Sequence, residues 1–260
     1  MTQNVSLIGF GEAGSTFARA GGWGDAARVY DIKDKLSEYR AAGVIGCASS
    51  RDAIKGSAAI ISLVTAGQAM AAAEEAAQGI APGALYFDMN SVAPDTKRSA
   101  AKYIDEAGGR YVDVAVMAPV NPAEMSVPLL LSGADAADGA LVLGKLGFDN
   151  IRLVDGEIGK SSSIKMIRSI MVKGIEALTA EMMLAAREAG VSDDVLQSLG
   201  PEWAEKANYN IERMTTHGLR RAEEMEQVAL TLDALGIEPL MTKATIARQR
   251  QMANKGGLAA

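Results

Sequence analysis

The sequence predicts an α/β fold in which an N-terminal Rossmann-type parallel sheet precedes an all-helical C-terminal domain. A first apolar strand runs into a G-x-G-x-x-G pattern, formed by Gly9, Gly11 and Gly14, at the start of a helix. Strand and helix patterns then alternate over about the first 155 residues, which is typical of a parallel sheet with helices on both faces. Beyond them, apolar residues recur at helical spacing only. We therefore predict a dinucleotide-binding domain over residues 1–157 and a helical domain for substrate and subunit contacts over 158–260.

The strands and helices of the first domain are short and are separated by turn signals. After a first strand containing Val5 and Leu7, further strands are predicted at 27–31, 44–47, 58–64, 85–88, 110–114, 127–132 and 150–154. The helices between them are predicted at 35–42, 50–55, 68–78, 94–106 and 135–146. Pro94 suits the first turn of a helix, and Gly108 suits a helix end. This alternation predicts a doubly wound parallel sheet.

The second domain is predicted to consist of helices at 161–189, 193–205, 211–235 and 238–252. The first of these helices carries an apolar stripe that consists of Ile164, Ile167, Met171, Ile175, Leu178, Met182 and Ala185. About 100 helical residues make a thin domain. We therefore expect such stripes to lie in its core or at an interface with a second copy of the chain.

The glycine pattern predicts a nucleotide-binding turn, in which Gly11 lets backbone N–H groups approach a pyrophosphate. Asp31 ends the second strand, where its carboxylate would accept hydrogen bonds from a ribose and favour NAD. Lys33 could instead accept the extra phosphate of NADP, and Asp31 could be a surface carboxylate in a turn. The predicted cofactor contacts are Gly9, Phe10, Gly11, Glu12, Ala13, Gly14, Asp31, Lys33, Val64, Thr65 and Asn90.

Composition excludes several classes of protein. A net charge of −6 and a pI near 5.0 argue against a general nucleic-acid binder. With one histidine and one cysteine, a conventional zinc site is implausible, and we predict no metal. No apolar run reaches membrane length, and no basic segment followed by an apolar stretch opens the sequence. We therefore expect a cytoplasmic protein without membrane contact.

Two polar residues, Asn90 and Ser91, follow a predicted strand at the edge where ligands bind in open α/β sheets. They offer hydrogen-bond donors and acceptors to a small polar substrate. The alternative is that they cap the helix that begins at Pro94. The residue types do not favour either role.

Lys165 is the main candidate for chemistry outside the sheet. It falls one turn into the long predicted helix, with apolar Ile164 and Ile167 beside it and with Arg168 and Ser169 on its face. Desolvation and a neighbouring cation would both lower the pKa of its amine. The amine could then exchange a proton with a carbinol oxygen while hydride moves to nicotinamide. From the residues alone, a lysine extended along a solvated helix face is the more frequent arrangement.

A second polar group lies on a later predicted helix, where His217 and Arg220 share one side. Such a pair suits a carboxylate or a phosphate. The alternative is that Arg220 and Arg221 pair at the surface with the glutamates that follow them in sequence.

These motifs resemble the β-hydroxyacid dehydrogenase superfamily, which includes 6-phosphogluconate dehydrogenase and 3-hydroxyisobutyrate dehydrogenase. The resemblance is specific at residues 9–14, 88–91, 111–116 and 159–165. It implies Lys165 as the catalytic acid–base, Asn90 and Ser91 at a substrate-contact motif, and a helical domain that dimerises. The helical half resembles an atypical branch described as 6-phosphogluconate dehydrogenase-like.

The chain departs from this family at the anion site. Where the family has Ser-Gly-Gly, whose backbone amides hold the substrate carboxylate, this sequence has Met117, Ala118 and Pro119. Pro119 has no N–H to donate. We therefore expect a rebuilt anion site. The predicted substrate contacts are Asn90, Ser91, Met117, Ala118, Arg168, Ser169, His217 and Arg220.

The sequence thus predicts an oxidoreductase that uses NAD, or NADP as the alternative. It would interconvert an alcohol and a carbonyl on a small, acidic, hydroxyacid-type molecule and form a homodimer through its helical domain. One alternative is imine reduction on the same fold, against which Lys165 counts, because the resemblance implies that such members generally lack the lysine. The other is a non-catalytic dinucleotide-binding regulatory protein, which the altered carboxylate loop favours.

Overall fold

The computed structural model describes residues 4–254, which belong to two compact units, one ending at Lys165 and the other beginning at Met166. The first unit is built on an eight-stranded sheet. Its strands are β1 (Val5–Ile8), β2 (Ala27–Tyr30), β3 (Ile45–Gly46), β4 (Ala59–Ser62), β5 (Leu85–Asp88), β6 (Arg110–Val116), β7 (Leu129–Ser132) and β8 (Ile151–Leu153). The order across the sheet is β3-β2-β1-β4-β5-β6-β7-β8. The order therefore reverses between β1 and β4, which creates the switch point where open α/β sheets bind ligands.

Helices connect the strands of the first unit and build the second. The first unit contains α1 (Glu12–Ala20), α2 (Leu36–Ala42), α3 (Ser50–Ile54), α4 (Ala69–Ala77), α5 (Pro94–Glu106) and α6 (Ala136–Lys145). The remaining helices are α7 (Lys160–Glu188), α8 (Ser192–Leu199), α9 (Trp203–Ala234) and α10 (Leu240–Ala253). The predicted fold class, a Rossmann-type sheet followed by a helical region, is confirmed.

Apolar side chains cover both faces of the sheet. Ile61 and Phe87 belong to one buried cluster, whereas their chain neighbours Ile60 and Tyr86 belong to another. Successive side chains of a strand point to opposite faces of the sheet. Strands that are buried on both faces therefore appear in the sequence as continuous apolar runs. This pattern is why the strands could be located from sequence.

The predicted parallel sheet has one exception, because β7 pairs antiparallel to β6. The other strand pairs are parallel, including β7 with β8. Parallel neighbours need a long crossover, usually a helix. The segment between β6 and β7 contains only a single 3₁₀ turn, Glu124–Ser126, so the chain reverses direction there.

The predicted interruption between residues 205 and 211 is also wrong. Helix α9 runs unbroken from Trp203, and the break lies instead at Gly200, whose φ is +119°, followed by Pro201. Within α9, Asn210 donates to Thr179 Oγ1 at 3.0 Å. This contact satisfies a side chain that would otherwise favour a turn.

The apolar stripe of α7 is not in the core of the second unit. Its core consists of two small clusters, one around Met166 and Met225 and the other around Ala180 and Met214. Ile167, Met171, Ile175 and Leu178, which belong to the predicted stripe, are exposed. No helix in the part of the chain that the structure describes is long and apolar enough to cross a membrane.

Helices α9 and α10 pack tightly against each other at Gly218, which is buried. A Cβ atom at this position would lie 2.5 Å from the Gln249 carbonyl oxygen and 2.9 Å from the Ala253 Cβ atom. Both obstacles are fixed to the backbone of α10, so they cannot rotate away. The close packing of these helices therefore requires glycine at position 218.

We predict that Gly218→Ala lowers the free energy of unfolding by about 1–3 kcal/mol, because the added methyl group overpacks this crossing. Gly174→Ala is the matched control, since a Cβ there meets nothing within 4 Å. Alanine in an open helix interior should raise the free energy of unfolding by about 0.5–1 kcal/mol. Urea denaturation of both variants checks the pair, and equal effects would contradict the close-packing argument.

Candidate functional site

The glycine turn after β1 has three different constraints. Gly9 has φ of +94°, and a Cβ there would lie 2.4 Å from the Leu63 carbonyl oxygen. A Cβ on Gly14 would lie 2.5 Å from the Gly9 carbonyl oxygen. A Cβ on Gly11, the N-cap of α1, would meet nothing within 4 Å. The first glycine thus lets the turn pack against the end of β4, and the third lets α1 pack against the turn. The second faces an open space at a helix N-terminus, which favours an anion.

Asp31 is oriented toward this turn. Its Oδ2 accepts a hydrogen bond from the Phe10 backbone N–H at 2.7 Å, and its Oδ1 accepts one from the Lys33 N–H at 2.9 Å. A carboxylate has about four acceptor positions, so lone pairs remain for a ribose diol. The carboxylate is thus a positioned group at the strand end.

Asn90 joins the loops that follow β4 and β5. It is buried, its Oδ1 accepts from the Val64 N–H at 2.6 Å, and its Nδ2 donates to Ser62 Oγ at 3.0 Å. The predicted alternative of a helix cap is wrong, because the N-cap of α5 is Ala93, without a side-chain hydrogen bond. The amide instead fixes the loop that presents the exposed Thr65.

The amine of Lys165 donates to Ser91 Oγ at 2.6 Å. Both residues are partly exposed and both belong to the first unit. The amine is therefore directed to the loop after β5, and not along a solvated helix face. The structure brings together two residues that the sequence separates by 74 positions.

Beneath this pair lies a buried charged cluster that sequence reasoning missed, formed by Lys97, Asp88 and Asp113. Lys97 Nζ lies 2.9 Å from Asp88 Oδ1 and 3.5 Å from Asp113 Oδ1, and all three side chains are fully buried. Tyr111 donates to Asp88 Oδ2 at 2.5 Å. Burial, followed by the Asp88 charge, raises the pKa of the Tyr111 hydroxyl well above its usual range. It therefore remains a neutral donor.

Asp113 also caps helix α7. Its Oδ2 accepts from the N–H groups of Gly159 and Ser162 at 3.0 and 3.1 Å, and from Ser162 Oγ at 3.1 Å. A carboxylate is stabilised at a helix N-terminus by unpaired N–H groups and by the helix dipole. The first turn of the helix that carries Lys165 is therefore tied to β6. The available signal was an aspartate inside an otherwise apolar strand.

The loop after β6 offers few backbone donors. The Met117 N–H donates to the Pro128 carbonyl oxygen at 2.9 Å and so extends the β6–β7 pairing. Ala118 and Pro119 are exposed, and proline has no N–H. Among the three positions that match the family's carboxylate-binding motif, only Ala118 is left with an N–H for which the structure gives no backbone partner.

The remaining predicted substrate residues belong to the second unit. Arg168 is exposed, whereas Ser169 is buried and accepts from Lys173 Nζ at 3.4 Å. Lys173 Nζ lies 2.8 Å from a carboxylate oxygen of Glu224, whose other carboxylate oxygen lies 4.0 Å from Arg220 Nε.

His217 and Arg220 line a pocket of about 260 Å³ at the surface of α9. Arg221 is not paired as predicted with a glutamate next to it in sequence. It is buried, and its Nε donates to Glu176 Oε2 at 3.0 Å. The two neighbouring arginines therefore differ, since Arg221 holds α9 to α7 and Arg220 reaches the pocket. Across residues 4–254, no group of three or more histidine, cysteine, aspartate or glutamate side chains is arranged to hold a metal ion.

Comparison with known proteins gives two family matches. Residues 4–142 match the NAD binding domain of 6-phosphogluconate dehydrogenase, and residues 186–252 match a domain of unknown function, DUF1932. A conserved hypothetical protein from Sinorhizobium meliloti 1021 is 33% identical, with a TM-score of 0.76 over 100% of this chain and 91% of that one.

Two further relatives carry a more specific description. A conserved protein of unknown function, described as structurally similar to 3-hydroxyacid dehydrogenases, is 32% identical, with a TM-score of 0.72 over 98% of this chain and 99% of that one. The mitochondrial 3-hydroxyisobutyrate dehydrogenase of Drosophila melanogaster is 24% identical over 215 residues, which are 78% of this chain and 65% of that enzyme. The chain thus spans just under two thirds of this enzyme.

We predict that Gly11→Ala weakens NAD binding about tenfold, because the methyl group occupies the open space in which a pyrophosphate would approach the turn. The fold should be unaffected, since that Cβ meets no protein atom within 4 Å. Gly144→Ala, at a helical position equally open in α6, should leave binding unchanged. Calorimetric titration with NAD and thermal unfolding of both variants provide the measurements. A loss of stability equal to the loss of binding would contradict this role for Gly11.

Proposed function

The chain belongs to the family defined by the NAD binding domain of 6-phosphogluconate dehydrogenase, and we propose that it is an oxidoreductase acting on a small hydroxyacid. In this proposal it interconverts an alcohol and a carbonyl, with Lys165 as the acid–base. The observation that carries the proposal is the hydrogen bond between the Lys165 amine and Ser91 at the sheet edge.

The roles follow from the positions of the groups. The glycine turn and Asp31 would hold the dinucleotide, and Val64, Thr65 and Asn90 would shape the loop toward its nicotinamide end. When bound, the nicotinamide supplies a hydride acceptor or donor. Lys165 would take the proton from the alcohol oxygen during oxidation and return it during reduction. Ser91 accepts from the amine, and its own hydroxyl hydrogen could then point to the substrate oxygen.

Two features support NAD and an acidic substrate. Asp31 presents a carboxylate at the strand end, where the extra phosphate of NADP would be repelled. One relative is described as structurally similar to 3-hydroxyacid dehydrogenases, and another is a 3-hydroxyisobutyrate dehydrogenase. Because the loop at Met117 supplies few backbone donors, we propose that side chains, with Arg168, Ser169, His217 and Arg220 as candidates, recognise the acid group.

We predict that Lys165→Ala lowers kcat by about 10²–10⁴-fold, the usual contribution of a general acid–base. NAD binding should remain within about twofold, since the glycine turn is intact. Lys160→Ala is the control, because Lys160 is exposed in the first turn of the same helix. The assay follows nicotinamide absorbance with a panel of short 3-hydroxyacids and their aldehydes, using NAD and NADP separately.

Each outcome of this assay selects one interpretation. Turnover that survives Lys165→Ala would exclude the lysine as acid–base. A protein that binds NAD but oxidises no hydroxyacid and reduces no aldehyde would favour the regulatory alternative. Turnover of imines in place of these compounds would favour an imine reductase.

We propose further that the chain forms a homodimer through its helical half. The support is the stripe of Ile167, Met171, Ile175 and Leu178 along α7, whose residues are between 41% and 67% exposed. Apolar side chains aligned on one helix face are a frequent feature of subunit interfaces.

We predict that the double variant Met171→Glu with Leu178→Glu is monomeric, because two carboxylates would be buried without partners at the interface. Leu141→Glu serves as the control, since Leu141 is an equally exposed apolar residue on α6. Sedimentation velocity measures the state of each protein. A wild-type monomer, or a double variant that stays dimeric, would contradict the proposal.

A further inference from the structure

Lys97 is a buried lysine that the proposed chemistry does not use. It belongs to α5, and its side chain has no exposed surface. Its amine donates to the Asp88 backbone carbonyl at 2.5 Å and to Asp88 Oδ1 at 2.9 Å, and it lies 3.5 Å from Asp113 Oδ1. A fully buried charge is costly unless it is paired. This lysine is paired with two carboxylates at once.

The two carboxylates are neighbours because of strand register. Asp88 of β5 is paired with Asp113 of β6 in the parallel ladder, so both side chains project from the same face of the sheet. Two buried carboxylates this close would repel each other if no cation lay between them. The Lys97 amine lies within ion-pair distance of both carboxylates and so offsets this repulsion.

Each carboxylate positions one partner of the Lys165–Ser91 hydrogen bond. Asp88 Oδ1 accepts from the Asn90 backbone N–H at 2.9 Å, immediately before Ser91. Asp113 Oδ2 accepts from the backbone N–H groups that begin α7, one turn before Lys165. The acceptor loop and the donor helix thus depend on the same pair of anions.

From this arrangement we infer that Lys97 is a positioning residue, whose buried ammonium group bridges Asp88 and Asp113 and so aligns the Lys165 amine with Ser91. The inference rests on the proposed function for its effect on turnover, but its effect on Lys165 itself does not depend on that function. The role assigned to Lys97 lies in its charge, since its side chain has no exposed surface.

The test compares Lys97→Met, which keeps the chain length and removes the charge, with Lys102→Met, an exposed position on the same helix. Two readouts are taken on the full chain. One readout is kcat and KM, determined separately with the hydroxyacid that the wild-type protein turns over fastest. The other is the rate at which acetic anhydride acylates Lys165, measured by peptide mass spectrometry relative to Lys160 in the same molecule.

For Lys97→Met we expect kcat to fall about tenfold, the range expected when a reacting group is displaced by a fraction of an ångström. KM for NAD should stay within about twofold, since the glycine turn is not involved. Acylation of Lys165 relative to Lys160 should rise at least about threefold as the hydrogen bond to Ser91 is lost. Lys102→Met should change neither readout.

A second variant keeps the inference testable if Lys97→Met does not fold. Asp113→Asn retains the shape of the side chain and an acceptor for the helix N–H groups, but it loses the charge. It should shift kcat and Lys165 acylation in the same directions. A lower melting temperature with unchanged kcat and unchanged acylation, in whichever variant folds, would show a purely structural role and overturn the inference.

The two proposals fail in different ways. If the wild-type protein oxidises no hydroxyacid, the proposed function fails, while the acylation ratio still decides the role of Lys97. If turnover requires Lys165 but Lys97→Met alters neither kcat nor acylation, the function stands and the positioning role fails.

Discussion

The ion cluster of Lys97, Asp88 and Asp113 is the interaction on which the geometry of the site depends. It contains two anions and one cation, all without exposed surface. The remaining negative charge is compensated by the Tyr111 hydroxyl and by the first N–H groups of α7. A buried ion cluster adds little net stability compared with an apolar core. Its main consequence here is geometric. Charged hydrogen bonds have specific distances and angles, so they fix the positions of the loops that they join.

This cluster is one of several contacts that fix the loops at the edge of the sheet. The loops after β1, β4 and β5 lie side by side because the strands are parallel and adjacent in the sheet. Each loop is held by a different device: a glycine contact at Gly9, the buried amide of Asn90, and the carboxylate of Asp88. Backbone contacts and short side chains have little freedom, so they define the edge more rigidly than long side chains could. Lys165 is the one long side chain in this group, and it comes from a helix that Asp113 caps.

The local sequence pattern was sufficient to predict most strands and helices. It was insufficient to predict the contacts between them. The strand at Leu85–Asp88 and the helix at Pro94–Glu106 were predicted to the residue, because an apolar run and a first-turn proline act locally. The direction of β7 was not predicted, since it follows from the lack of a crossover helix between β6 and β7. The pairing of Asp88 with Asp113 depends on strand register, and register is set by the packing of the whole sheet. Lys97 was therefore indistinguishable in sequence from Lys102, the exposed lysine of the same helix.

The antiparallel pairing of β7 with β6 limits the backbone donors at the carboxylate loop. Because β7 runs antiparallel to β6, the ladder continues to Met117, whose N–H donates to the Pro128 carbonyl oxygen. That amide cannot also be directed to a substrate, and the next two positions add at most one donor. An acid group at this edge would thus be bound by side chains, which are flexible unless other groups hold them. The proposed chemistry then depends on the Ser91 hydroxyl and the Lys165 ammonium group, whose loop and helix are held by Asp88 and Asp113. It does not depend on the backbone amides of a glycine-rich loop.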